Sequence, residues 1–125
     1  MARAIRTLCG VRVRCGGAIK HLPPHLRSDI DIVCAAIGEY NGAAEFVHWD
    51  GFSAASATEC LIAVTERGFA YFLGMCLDRF RLVLGDRYNV ACLGALFVAQ
   101  SKGYSACESE VLTALEVRAR SAVRM

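Results

Sequence analysis

The sequence predicts an all-α fold of stacked helical hairpins, a short α-solenoid-like repeat domain of about six to eight helices. Three observations carry that expectation. Apolar residues recur at three- and four-residue intervals along most of the chain, the spacing that places them on one face of a helix. Serine or aspartate stands at the start of successive apolar stretches, at Ser28, Ser56, Asp86 and Ser105, and glycine stands at the ends, at Gly17, Gly42, Gly68 and Gly103. Starts and stops return at roughly 25- to 30-residue intervals, as tandem helical units do.

The most complete unit runs from Ser28 to Val47. Ser28 is placed to cap the free amides of a helix, Asp29 and Asp31 put negative charge at its positive end, and Ile30, Val33, Cys34 and Ile37 make its buried stripe. Asn41-Gly42 ends it, and a second short helix is expected through Ala43, Ala44, Phe46 and Val47 to about Trp49. Upstream, Ala2 to Arg14 can form a helix with Ile5, Leu8 and Cys9 on one side, closed by Cys15-Gly16-Gly17. A short element from Ala18 to Leu22 then stops at Pro23-Pro24, which remove two backbone donors.

Downstream, Ser56 and Glu59 have capping-box spacing and open a helix bearing Cys60, Leu61 and Val64. One long amphipathic helix is expected from Phe69 to Leu84. The next, Arg87 to about Ser101, is apolar all round, which predicts a central, buried position. Ser105 and Glu108 repeat the capping-box spacing and start a last helix with Val111, Leu112, Leu115 and Ala119 turned inward.

With 125 residues, 55% of them apolar, the chain has the length and core material of one domain, residues 1–125. Residues 1–17 read as an N-terminal cap or a targeting helix, and residues 105–125 as a C-terminal cap helix. The uncharged apolar run from Tyr88 to Gln100 falls short of the roughly 20 residues that cross a bilayer. Seven cysteines are an odd number, and Cys34, Cys60 and Cys76 fall on apolar helix faces, which suits buried thiols in a reducing, intracellular and cytoplasmic setting. No secretory h-region stands at the N-terminus, whose basic, acid-free composition is also that of an organelle transit sequence.

From Leu22-Pro-Pro-His-Leu-Arg-Ser-Asp29 through Ile30 to Tyr40, Asn41-Gly42 and the alanine-rich opening that follows, the chain resembles a family of tandem helical repeats of unknown function. The resemblance is strongest over residues 18–47, weaker from Ser56 to Leu73, and departs beyond Gly74. It implies an all-helical repeat fold and brings no catalytic residues with it.

Chemistry-bearing residues are sparse. Cys9, Cys15, His21 and His25 have metal-ligand identities, but the gap between the two pairs is far shorter than in zinc fingers and Pro23-Pro24 separates the two histidines. His48-Trp49-Asp50 pairs a base with a carboxylate, yet adjacent residues rarely face one another. Cys15-Gly16-Gly17 lacks the lysine of a phosphate loop. No cofactor or metal and no enzymatic activity is expected.

Net charge is +2 but unevenly spread: residues Met1–Ser28 carry six basic and no acidic side chains, Asp29–Val117 five basic and twelve acidic, and three arginines close the chain. Arg3, Arg6, Arg12 and Arg14 with Arg118, Arg120 and Arg124 form a candidate basic interaction patch. The expected function is a non-catalytic interaction or scaffold module that binds a protein partner or its own copies by charge complementarity. Nucleic-acid binding through the arginine-rich ends is the alternative.

Overall fold

The structure, a computed structural model, describes residues 19–124, with side chains to Arg120. Six α-helices and four short 3-10 turns make up the described residues, with no strand among them, so the fold is all-α. The helices are α1 (Ile30–Glu39), α2 (Ala54–Glu66), α3 (Ala70–Arg79), α4 (Arg81–Leu84), α5 (Tyr88–Lys102) and α6 (Ser105–Arg124). The helix expected over Ala2–Arg14 lies outside the described residues. The chain splits into two compact units, Met1–Phe52 and Ser53–Met125.

In the first unit α1 packs against the 3-10 turn Asn41–Phe46, which also meets the turn Ile19–His21. Ile32, Val33, Ala36 and Ile37 of α1 are buried with Ala43, Ala44 and Ile19. Two expectations are corrected here. The cap of α1 is Asp29, whose carboxylate accepts from the Ile32 amide at 3.1 Å, while the Ser28 hydroxyl points back to the His25 carbonyl. The cap position needs extended backbone, and Asp29 (φ −79, ψ 124) supplies it. The segment after Gly42 is not an α-helix to Trp49 but two 3-10 turns, Asn41–Phe46 and Trp49–Gly51. Arg27 ties them down: its carbonyl accepts from the His48 amide and its guanidinium donates to the Phe46 carbonyl.

The second unit is two helical hairpins, α2–α3 and α5–α6, joined by α4 and the turn Gly85–Arg87. Within each hairpin the helices pack on one another, and between hairpins α2 packs on α5 and α3 on α6. The box that opens α2 uses Ser53 and Ser56, not Ser56 and Glu59. Ser53 Oγ accepts from the Ser56 amide at 3.1 Å and Ser56 Oγ accepts from the Ser53 amide at 2.8 Å. Serine does glutamate's part because its hydroxyl accepts as well as donates.

The helix expected from Phe69 to Leu84 breaks at Phe80, and α4 turns onto α2. Its stripe survives the break, since Phe72, Leu73, Cys76, Leu77, Phe80 and Leu84 are all buried. The box expected at Ser105 is absent: the Glu108 carboxylate accepts from Gln100 Nε2 at 2.9 Å, across the turn between α5 and α6.

The two hairpins repeat one backbone pattern. Gly68 and Gly103, 35 residues apart, both sit at φ 73, a left-handed conformation that closes a helix without penalty only in glycine. Each donates its amide three residues back, to Thr65 or Gln100. The aromatic that follows, Phe69 or Tyr104, donates to Val64 or Ala99, and the next residue closes onto the glycine carbonyl. Burial keeps the same register: Ala57 with Cys92, Cys60 with Ala95, and Cys76 with Val111 are buried alike. This 35-residue spacing exceeds the roughly 25 to 30 residues read from starts and stops.

Candidate interaction face

Beyond the buried Tyr88 at its start, helix α5 is buried mainly through small side chains and exposed through Val90, Leu93 and Phe97. Ala91, Ala95 and Ala99, spaced four apart, lie inside with Cys92 and Tyr88. Val90, Leu93 and Phe97 face out, with 72%, 55% and 70% of their surface exposed. The sequence expectation of a helix buried all round is therefore wrong. Alanines let α2 and α6 come close to the α5 backbone, and a helix gripped closely on one side has no room to turn its bulky side chains inward.

The exposed face continues onto α6. Of the four residues expected inside, only Val111 is buried; Leu112 keeps 49% of its surface, Leu115 is half-buried and Ala119 is exposed. Apolar surface gathered on two adjacent helices is the kind of patch that marks an interaction site. At its margins Glu116 is paired with Arg120 at 2.9 Å, while Glu108 accepts a hydrogen bond from the neutral Gln100 amide at 2.9 Å and keeps its charge.

Beside this face, α3 and α6 enclose a cleft of about 230 Å³ whose walls include Gly74, Asp78, Arg81, Glu110 and Thr113, with Tyr88 among them. Asp78 and Arg81 are bonded to one another at 2.7 Å. Tyr88 Oη donates to the Leu77 carbonyl at 3.0 Å, satisfying one of the last-turn carbonyls of α3. Burial above all, with the neighbouring Cys92 adding to it, pushes the phenol up to about 12. Burial likewise raises the Cys92 and Cys107 thiols above their ordinary value, so neither is primed as a thiolate nucleophile.

The candidate basic patch divides. Arg3, Arg6, Arg12 and Arg14 lie outside the described residues. Arg118 is spent on structure: its guanidinium stacks 5.0 Å from the Tyr88 ring centroid and donates to the Gly85 carbonyl at 3.2 Å. Arg120 pairs with Glu116, both exposed, and Arg124 closes α6. Among the described residues no three histidines, cysteines or acids gather as a metal site. Cys9 and Cys15 lie outside the described residues, and His48 only precedes the turn that holds Trp49 and Asp50.

Arg81–Lys102 is long and apolar enough to cross a membrane by length and composition, longer than the uncharged Tyr88–Gln100 run, but Gly85 at φ 51 divides it into α4 and α5. The sequence reading missed Val90, Leu93 and Phe97 as a surface. The signal was present in the Ala91, Ala95, Ala99 spacing, which marks the tight-packing side of the helix. Comparison of the chain with protein-family models, with curated proteins and with solved structures finds no match.

Proposed function

We propose that this chain is a non-catalytic interaction module built from helical hairpin repeats, and that it binds partner proteins through the outer face of α5 and α6. The observation that supports this most is the inversion of α5: its alanines are inside and Val90, Leu93 and Phe97 are in solvent. Covering the exposed part of these side chains on a partner removes apolar surface from water at about 25 cal/mol per Å², one of the terms that offset the freedom lost on association. The spacing of the two hairpins supports the repeat reading, because two units with one closing pattern stack in one register.

The test is capture of partners by the tagged chain from its native source, with wild type beside Phe97→Glu. The expected result is a set of proteins retained by the wild type and lost by the variant, while circular dichroism shows equal helicity. Equal retention by both would remove this face from the function. Nucleic-acid binding through the terminal arginines draws no support from Arg118, which is committed to Tyr88 and Gly85.

A further inference from the structure

The 35-residue register between the hairpins identifies what kind of surface fits the open face. On the first hairpin, the four positions that correspond to Leu93, Phe97, Leu112 and Leu115 are each more covered than those residues are, while Ala55 and Leu82, the counterparts of Val90 and Val117, stay exposed. Ile62 of α2, the counterpart of exposed Phe97, is half-buried and its Cδ1 lies 3.4 Å from the Cβ position of Gly94 on α5. Leu77 of α3, the counterpart of half-exposed Leu112, is 1% exposed. Phe80, the counterpart of half-buried Leu115, is also fully covered. The face the second hairpin leaves open is thus the face by which the first hairpin holds the second. Its natural occupant is another helical hairpin of this type.

Two ways of supplying that hairpin differ in charge. A second copy added head to tail would bring the outer side of its own α2, where Glu59 occupies the position that Gly94 holds on α5, and Ser56 the position of Ala91. Glu59 is exposed, so such stacking would drive a carboxylate into the apolar face next to Phe97, a burial without a partner. Joining the open face to itself puts no carboxylate beside Phe97, where Gly94 stands; Glu116, paired with Arg120, and Glu108, bonded to the neutral Gln100 amide, flank Leu112 at the edge, where they can stay in water. An interface that uses the same patch on both copies closes after two.

We propose that two copies of the chain pair about a two-fold axis through the outer face of the second hairpin, with Leu93 and Phe97 of α5 and Leu112 and Leu115 of α6 buried against the same residues of the other copy. The pairing rests on the interaction-face reading above and names its partner.

Sedimentation equilibrium of the full chain between about 1 and 200 μM tests it, a range set by the micromolar affinities that small interfaces reach. The expected result is a mass of twice the 13.5 kDa chain with no larger species, and at least a tenfold weaker association for both Phe97→Glu and Leu93→Gln at unchanged helicity. Wild type that stays monomeric throughout overturns the pairing, as does mass that grows without limit or a dimer that both variants leave intact. A monomer that floats with phosphatidylcholine–phosphatidylglycerol vesicles through the same residues also overturns it and assigns the face to a lipid surface. A monomeric wild type whose partner capture is still abolished by Phe97→Glu overturns the pairing alone, whereas a monomer with unaffected capture overturns the interaction-face reading too.

Discussion

Replacing Tyr88 by phenylalanine removes one oxygen and leaves the ring, with the stack under Arg118, in place. At neutral pH the variant loses the bond from Tyr88 Oη to the Leu77 carbonyl, a buried bond whose loss costs about 1–2 kcal/mol. In alkali the wild type weakens instead. Its phenol is held at about 12 against an ordinary 10.0, which means that the folded chain keeps the proton more tightly than the unfolded chain. Stability from a raised pKa is complete below the unfolded value, so it is lost as pH rises from 10 toward 12. With those two values the loss is about 1.4 kcal/mol at pH 11. The Cys92 thiol shares a hydrogen bond with the phenol, so its own titration changes with the substitution, and absorbance at 295 nm is what isolates the phenol's part. The deficit of Tyr88→Phe should therefore shrink from about 1–2 kcal/mol at pH 8 to near zero at pH 11. Urea unfolding followed by far-ultraviolet circular dichroism at pH 8, 9.5 and 11 with reductant measures it, and absorbance at 295 nm reports tyrosinate. A deficit that stays constant across that range would refute the buried, bonded phenol.

Three further outcomes follow from the same contacts. Ser53→Ala should lower stability by about 0.5–2 kcal/mol in urea unfolding, and Ser105→Ala by much less, because only the first serine is in a closed box. Leu77→Ala should cost about 2–5 kcal/mol while Leu112→Ala, its counterpart 35 residues on, costs under about 1 kcal/mol at a dilution where the chain is monomeric. Arg118→Ala should cost about 1–2 kcal/mol through the lost ring stack and Gly85 bond, and the difference should change little between 0.05 and 0.5 M salt, since neither contact is an ion pair.

Helix type and glycine stops were readable because they depend on local backbone chemistry. Gly68 and Gly103 end α2 and α5 at the left-handed conformation their identity suggests, and the apolar stripe from Phe72 to Leu84 is buried as its period requires. Caps were read one to three residues off, because Ser28 and Asp29, or Ser53 and Ser56, offer equivalent side chains and only the path of the chain chooses between them. The segment after Gly42 was read as α-helix because alanine favours one, whereas contacts with α1 and Ile19–His21 hold it as a 3-10 turn. The sidedness of α5 was not readable from period alone: a helix apolar all round has no polar face to point outward, so packing distance makes the choice, and packing distance is tertiary.

That choice carries a cost in the isolated chain. Had α5 been rotated to bury Val90, Leu93 and Phe97, each would have contributed about 1.5–3 kcal/mol of transfer free energy, several times what an alanine methyl returns. The rotation is blocked because the hairpins close on α5 at the distance set by Ala95 and Ala99, both with no exposed surface, and by the absence of a side chain at Gly94 beside Ile62. The fold thus gains close helix packing and forgoes the larger hydrophobic term on the same helix. Only when a second surface covers Leu93 and Phe97 are both terms present at once. A face of this kind then couples folding to association: covering it should raise the melting temperature with protein concentration, as mass action on a native pair requires. Concentration-independent melting over the range where sedimentation detects pairs would contradict that coupling.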